Sequence, residues 1–102
     1  MLGVRRRPLS FEWDAKKASS NATKYGVTFD EASTVFSDPL AVIFDDDDHS
    51  RDERREIIIG YSLLGQLLLV SFTERDKMTV RIISARNATR RERKDHEEGT
   101  RP

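Results

Sequence analysis

The spacing of apolar side chains along the chain predicts an ordered series of short elements. Residues 11–13 alternate apolar and polar as a strand does, and residues 15–25 carry alanines and a tyrosine at helical spacing. Asp14 is placed to cap this helix through its side-chain oxygen, and Gly26 to end it in the left-handed conformation that glycine tolerates. The chain therefore begins with a strand followed by a helix.

Further elements follow the same kinds of signal. A second helix at about 29–37 has an apolar face, and Thr28 begins a Thr-x-x-Glu capping-box motif before it. A last helix at about 88–97 begins in the same way at Thr89. Apolar runs of strand length predict four strands between these helices, at about 40–44, 55–62, 67–74 and 78–85.

The predicted order is β-α-α-β-β-β-β-α, in which the strands follow one another and the helices are grouped. This order is typical of an α+β fold with an antiparallel β-sheet, two N-terminal helices packed on one face and a C-terminal helix. The 102 residues suffice for one domain. We expect a flexible basic arm at 1–9, the folded domain at 10–98 and a tail at 99–102.

The charged residues are unevenly distributed along the chain, although the net charge is zero. The chain has 18 basic and 18 acidic residues. Residues 38–56 hold eight acids and three arginines, a local net charge of minus five, whereas residues 77–96 hold seven basic residues and two acids, a local net charge of plus five. Positive segments attract polyanions such as nucleic acid, although a charged run is also typical of a solvated helix face.

Composition excludes several classes of site. The chain has no cysteine, which excludes disulfides and thiolate chemistry, and no apolar stretch approaches the roughly 18 residues of a membrane span. No apolar segment follows the N-terminal arginines, so we expect a cytoplasmic protein.

The run 45–49 (Asp-Asp-Asp-Asp-His) lacks the alternating acids and glycine of a calcium loop and favours a solvated acidic loop, so we predict neither a metal nor another cofactor. A metal-dependent hydrolase built on that run remains a minor alternative.

The most informative segment is the arginine-bearing strand at 80–86. Simple alternation puts Arg81 on one face and both Ser84 and Arg86 on the other, unless the strand bends. Arg55 opens a neighbouring strand. If Arg55 and Arg86 lie side by side, they form a clamp whose planar donors match phosphate oxygens. The alternative is that these arginines pair with the acidic loop.

The order of residues across about 10–98 is similar to that of BrnT-family toxins. The residues that carry the resemblance in the first half are Phe11-Glu12-Trp13-Asp14, Lys17, Asn21, Lys24-Tyr25-Gly26-Val27, Phe29, Glu31-Ala32, Val35-Phe36 and Asp38-Pro39. Those in the second half are Asp48-His49-Ser50, Arg55-Glu56, Gly60, Thr73-Glu74-Arg75, Arg81-Ile82-Ile83-Ser84-Ala85-Arg86, Ala88 and Arg91-Glu92.

The resemblance implies a RelE-like fold and a type II toxin that cleaves RNA and inhibits translation. It implies a BrnA-type antitoxin with a ribbon-helix-helix region as partner, two copies of each chain per assembly, and operator DNA contacted only through the antitoxin complex. It places functional weight on Arg55, Ser84 and Arg86. The family often has Lys-His-Gly where this chain has Lys24-Tyr25-Gly26, so Tyr25 would serve as a hydrogen-bond donor or stacking surface.

Metal-free cleavage by the 2′-hydroxyl of the RNA would use these residues as follows. Arg55 and Arg86, with Arg81 as a third, would stabilise negative charge on the phosphate, and Ser84 would hold it by a hydrogen bond. The general base stays open between a glutamate (Glu53 or Glu56) and the Lys24–Tyr25 pair. Further RNA contacts are expected from Arg81, Tyr25, Arg90 and Arg91. The alternative function is a catalytically weak or inactive module that mainly binds its antitoxin during autorepression.

Overall fold

In the computed structural model, which describes residues 9–99, five strands form one sheet and three helices pack against it. The elements are β1 (Ser10–Glu12), α1 (Ala15–Tyr25), α2 (Phe29–Thr34), β2 (Val42–Asp45), β3 (Glu56–Tyr61), β4 (Leu67–Asp76), β5 (Thr79–Asn87) and α3 (Arg90–Glu97). Short 3₁₀ turns lie at Val35–Ser37, directly after α2, and at Asp47–His49 in the acidic loop, by which we mean residues 45–53. None of the helices in this part of the chain is long and apolar enough to span a bilayer.

The predicted α+β fold is confirmed, with one addition at the edge of the sheet. The strand order is β1-β5-β4-β3-β2, and β2 to β5 pair antiparallel, as expected. β1 instead runs parallel to β5, with Phe11 opposite Val80. Leu9 already packs against the core, so the first nine residues do not all belong to a free arm. The rest of the predicted arm, 1–8, and the end of the predicted tail, 100–102, lie outside the described residues.

The predicted helix ends are confirmed for α1. The Asp14 side chain accepts a hydrogen bond from the Lys16 N–H at 2.9 Å, and Gly26 ends the helix at a φ of 71°. These local contacts supply partners to backbone groups that a helix leaves unpaired at its ends. The position and direction of α1 therefore follow from the sequence around it.

The predicted capping box of α2 is only half formed. The Thr28 hydroxyl accepts from the Glu31 N–H at 3.0 Å, as expected. The Glu31 carboxylate turns away and accepts instead from the Ser62 hydroxyl at 2.7 Å and from the Gln66 amide at 3.0 Å. This carboxylate thus ties α2 to the β3–β4 turn. At α3 both halves of the box are present, between Thr89 and Glu92.

The main core lies between α1, α2 and one face of the sheet, as the apolar pattern predicts. Phe36 joins two parts of it, since its ring packs against Phe11 at 5.2 Å and against Phe72 at 5.0 Å between centroids. Its fully buried members from both layers include Val27, Phe29, Ala32, Val35, Leu68, Val70, Ile82 and Ala85.

The opposite face of the sheet is covered only in part. A smaller apolar cluster of Ile59, Leu67 and Leu69 is buried there. α3 meets this face near Tyr61, whose hydroxyl donates to Glu97 at 3.1 Å. Val42, Phe44 and Ile57 extend the apolar cluster towards β2, whereas Arg81, Ser84 and Arg86 of β5 leave part of the face polar and accessible, as expected for an antiparallel sheet with one wet side.

Replacing Gly60 by alanine is expected to destabilise the fold. A Cβ atom at this position would lie 2.8 Å from the Ala41 Cβ, and 3.0 Å from both an Asp38 carboxylate oxygen and a Val35 methyl. Asp38 accepts from the Tyr61 N–H at 2.8 Å, so it cannot move without losing that bond. We expect a loss of about 1–3 kcal/mol in the free energy of unfolding, measured by urea denaturation.

The matched control for this substitution is Ser19→Ala, on the exposed side of α1. An exposed substitution of this kind changes stability by roughly 0.5 kcal/mol or less. Equal stability of Gly60→Ala and the wild-type protein would show that the turn after α2 can move away from β3.

Candidate active site

A β-bulge in β5 decides which side chains share the accessible face of the sheet. Ser84 lies opposite Ser71 while Ile82 lies opposite Phe72, so Ile83 is an extra residue in β5. An extra residue interrupts the alternation of side chains. Arg81, Ser84 and Arg86 consequently lie on one face, away from α1 and α2, and the predicted separation of Arg81 from the other two is wrong.

α1 is held along β5 by the buried side chain of Asn21. β1 pairs with β5 only as far as Arg81. Beyond the bulge, the Asn21 amide donates to the Ala85 carbonyl at 2.8 Å and accepts from the Ala85 N–H at 3.1 Å. The same amide also donates to the Val27 carbonyl at 3.0 Å. Asn21 is 6% exposed, and its side chain takes the place of a strand residue at this edge.

The role of Asn21 is absent from our sequence interpretation, although the residue belongs to the family resemblance. The available signal was a single amide on the otherwise alanine-bearing inner side of α1. A buried amide must find hydrogen-bond partners, and a free strand edge offers both a donor and an acceptor.

This attachment brings the last turn of α1 next to the end of β5. Lys24 and Tyr25 are the last two residues of α1, and the Lys24 ammonium lies 5.2 Å from the centre of the Tyr25 ring. Tyr25 is 41% exposed. α1 therefore lies along the part of β5 that carries Ser84 and Arg86, and Lys24 and Tyr25 stand at its C-terminal end.

Arg86 is oriented by Glu92 of α3. Its two terminal nitrogens donate to the two Glu92 carboxylate oxygens at 2.9 Å each. Glu92 also accepts from the Thr89 N–H at 2.8 Å, so the capping box and the ion pair share one carboxylate. The Arg86 hydrogen bonds lower the pKa of Glu92 to about 2. In return Glu92, and to a smaller extent the Tyr25 hydroxyl, raises the pKa of Arg86.

The junction of β5 and α3 is expected to weaken in acid. The folded-state pKa of Glu92 lies below its usual value of 4.5, so its contribution is fully present above pH 4.5 and is lost as the pH falls towards 2. Thermal unfolding of the wild-type protein and of Glu92→Gln should therefore differ at pH 7 and converge towards pH 2. A difference of the same size at both pH values would contradict the assignment. The exposed Glu98→Gln serves as control and should show no such convergence.

Arg55 does not lie beside Arg86. Arg86 is opposite Leu69 in β4, whereas Arg55 directly precedes Glu56, which is opposite Phe72. This register separates the two arginines by about 13 Å along the strands and about 10 Å across the sheet. The predicted two-arginine clamp on one phosphate is therefore not formed. The register between the strands sets the distance between Arg55 and Arg86, and the sequence pattern does not reveal that register.

The surroundings of Arg55 are acidic. It is half-buried, and its Nε is buried without a hydrogen-bond partner among residues 9–99. It lines a groove of about 240 Å³ together with acidic-loop residues, of which three carry carboxylates: Asp48, Asp52 and Glu53. Negative side chains around this groove work against the approach of an RNA phosphate.

The remaining predicted site residues, the catalytic candidate Glu53 and the RNA contacts, lie at separate places. Arg81 donates to Glu12 at 3.0 Å on the open face, and Glu53 comes within 3.9 Å of Arg75. Arg90 and Arg91 are exposed in the first turn of α3.

The acidic run does not gather its carboxylates into one metal-binding cluster. The Asp46 carboxylate faces the His49 ring at 3.1 Å, and Asp45 is paired with Arg54 at 2.7 Å. Across the described ranges no three His, Asp or Glu side chains are grouped to hold a metal ion. The alternative in which Arg55 and Arg86 pair with acidic-loop carboxylates is not observed within residues 9–99, where Arg86 pairs with Glu92 and the Asp45 partner is Arg54.

Comparison with known proteins decides the family. A family model described as the ribonuclease toxin, BrnT, of a type II toxin-antitoxin system matches residues 13–92. This chain belongs to the BrnT family. The resemblance predicted from sequence is confirmed, and membership of a type II toxin family implies an antitoxin partner.

A solved structure agrees with this assignment. The 1.1 Å crystal structure of the Brucella abortus ribonuclease toxin, BrnT, matches with a TM-score of 0.62 and 23% identity, over 80% of this chain and 99% of that chain. At this identity the likeness shows the shared fold. No curated protein matches the chain. All the site residues gathered around β5, from Lys24 to Glu92, lie inside the part that matches the BrnT family model.

Proposed function

We propose that this BrnT-family protein cleaves RNA without a metal ion, at the junction of α1, β5 and α3. The observation that carries the proposal is the placement of Arg86 and Ser84 on one accessible sheet face, with Tyr25 and Lys24 at the adjacent edge. This is a compact set of one fixed cation, one hydroxyl and two groups able to exchange protons. Such a set matches the needs of attack by a 2′-hydroxyl on its own phosphate.

Arg86 supplies the positive charge in this mechanism. An arginine has five N–H donors. Glu92 and the Asn87 carbonyl accept from three of those on Arg86, so Nε and one terminal N–H stay available for a phosphate. The side chain is 40% exposed, which leaves room for that phosphate. Glu92 thus fixes the direction of the guanidinium without using up its donors.

The reaction proceeds in one displacement. A base at the α1 end removes the proton from the 2′-hydroxyl, the 2′-oxygen bonds to phosphorus, and the bond to the 5′-oxygen breaks as that oxygen receives a proton. The products are a 2′,3′-cyclic phosphate and a 5′-hydroxyl. Ser84 holds the phosphate by a hydrogen bond, while Lys24 and Tyr25 carry out the proton transfers. Glu53 is a weaker choice as base, because it lies in the acidic loop at the other end of the sheet.

Around this centre, Arg81, Arg90 and Arg91 contact flanking phosphates, whereas Arg55, which lies among the carboxylates of the acidic loop, is assigned no RNA contact. The protein acts in the cytoplasm, where its cleavage of RNA inhibits translation. A BrnA-type ribbon-helix-helix antitoxin neutralises it in an assembly with two copies of each chain. DNA is contacted through the antitoxin. Contacts to phosphate position a protein on DNA but do not recognise its sequence, which requires contacts to the bases.

The decisive experiment incubates the purified protein with a defined RNA in the presence and absence of EDTA. We expect cleavage at equal rates in both, with 2′,3′-cyclic phosphate ends. Loss of cleavage in EDTA would replace this mechanism by a metal-dependent one. Absence of any cleavage, with growth unaffected when the toxin is expressed alone, would favour the non-catalytic antitoxin-binding module.

A further inference from the structure

Of three surface grooves among the described residues, one differs sharply from the other two in charge. The groove at the acidic loop contains three carboxylates and two arginines, and the groove at the ends of β3 and β4 again contains three carboxylates and two arginines. The third groove, of about 240 Å³, lies between α1 and the bulge of β5. Its lining includes three lysines and no acid, and the residues that matter are Lys16, Lys17, Ser20, Lys24, Tyr25 and Ile83.

The lysines form a continuous stripe along α1. Lys16, Ser20 and Lys24 are spaced four residues apart, so they lie above one another on the same side of the helix, and Lys17 lies beside them. The stripe is about 12 Å long, because each helical residue rises about 1.5 Å. The acid nearest in sequence, Asp14, is used as the N-cap of the helix.

We propose that this groove is a second RNA subsite, which binds the phosphates flanking the cleaved linkage while a base stacks on Tyr25. The inference deepens the proposed function, on which it rests, and it assigns Lys16 and Lys17 a role as phosphate contacts. Single-stranded RNA is commonly held by a positive groove with an exposed aromatic ring, and such contacts tolerate any sequence. Asn21, which also lines the groove, bonds with the Ala85 backbone next to Arg86, so a strand of RNA lying in the groove leads towards the proposed catalytic residues.

The bulge at Ile83 contributes to the shape of the groove. Ile83 is the extra residue of β5 and lines the groove opposite the lysines. It offers an apolar wall for the sugar or base, whereas the lysines offer point charges for phosphates. The groove therefore has an apolar side suited to bases and a positive side suited to phosphates, which complements a strand of RNA whose bases turn to one side and whose negative phosphates turn to the other.

The binding test uses the double variant Lys16→Ala/Lys17→Ala and a 12-nucleotide RNA with 2′-O-methyl groups, which cannot be cleaved. Each phosphate contact contributes about 0.7 to the slope of log affinity against log salt for single strands. We expect fluorescence anisotropy to show about tenfold weaker binding near 0.1 M salt and a slope reduced by about 1.4.

The matched control is Lys77→Ala/Lys94→Ala, which removes the same charge from exposed lysines outside the groove. Its affinity should change less than about twofold. An unchanged affinity of the groove variant, or equal losses in both double variants, would overturn the proposal, because binding would then follow total charge and not the groove.

The cleavage test separates the subsite from the catalytic centre. For a long RNA we expect the Lys16→Ala/Lys17→Ala variant to raise KM with little change in kcat. For a dinucleotide, which is too short to extend from the cleaved linkage to Lys16 and Lys17, we expect no change. Equal losses on both substrates would overturn the proposal. Because the binding test needs no turnover, it decides the role of the groove even if the protein cleaves nothing and the proposed function fails.

Discussion

Replacing Arg86 by alanine is expected to reduce RNA cleavage at least about 100-fold while the protein remains folded. A positioned donor that stabilises developing charge typically contributes a factor of about 10²–10³ to kcat. Arg86 lies on the same accessible face as Ser84, and the two residues flank Ala85, to whose backbone α1 is attached. The measurement is the single-turnover cleavage rate of a defined RNA, with circular dichroism and thermal unfolding to confirm the fold.

Loss of the ion pair with Glu92 should not unfold this variant. The pair is partly exposed, and pairs of this kind contribute roughly 1 kcal/mol or less. The Thr89 hydroxyl still caps α3 through the Glu92 N–H.

Arg54→Ala is the matched control for Arg86→Ala, since Arg54 is exposed and pairs with Asp45 at the other edge of the sheet. We expect it to cleave at nearly the wild-type rate. Arg55→Ala measures how much Arg55, at the end of the sheet beside the acidic loop, contributes to RNA cleavage. Full activity of Arg86→Ala combined with inactive Arg55→Ala would move the active site from β5 to that end.

Replacing Asn21 by alanine is expected to have the largest effect on stability. The substitution removes the partners of the Ala85 N–H, the Ala85 carbonyl and the Val27 carbonyl, all in a buried region. Each buried group left without a partner costs about 1–3 kcal/mol. We expect a total loss of about 3 kcal/mol or more in the free energy of unfolding, measured by urea denaturation.

Asn21→Asp tests whether the hydrogen bonds of the Asn21 side chain, and not its size, are responsible for its contribution to stability. The aspartate keeps the acceptor for the Ala85 N–H but places negative charge against the two carbonyls, so we expect it to be destabilised too. Ser20→Ala, next to Asn21 on the exposed side of α1, serves as control and should change stability by roughly 0.5 kcal/mol or less. If Asn21→Ala were as stable as this control, the amide would not be what holds α1 to β5.

Local signals in the sequence account for the order and the ends of the elements. Asp14 and Gly26 bound α1, and the Thr89 capping box begins α3, because each acts on backbone groups within a few residues of itself. The apolar runs predict the sheet because burying one face of each strand requires apolar side chains there. The BrnT resemblance likewise rests on residue types and spacings along the chain, and the family comparison confirms it.

Contacts between distant parts of the chain decide what such local signals leave open. The capping motif at Thr28 is complete in sequence, yet Glu31 bonds with Ser62 and Gln66, which are about thirty residues away. Similarly, the parallel pairing of β1 depends on which edge of the sheet is free, a property of the assembled meander and not of β1 itself.

The sequence by itself determined that this protein has an α+β fold and resembles the BrnT family, and it singled out Lys24, Tyr25, Ser84 and Arg86 among the candidate site residues. Only the tertiary structure decided that Ser84 and Arg86 share a face of the sheet with Arg81, that α1 lies along β5, and that Arg55 stays apart. The physical reason is that a bulge depends on the register between two strands: the extra residue at Ile83 moves Arg81 to the face of Ser84 and Arg86, while Asn21 at the free edge of β5 brings α1 to them.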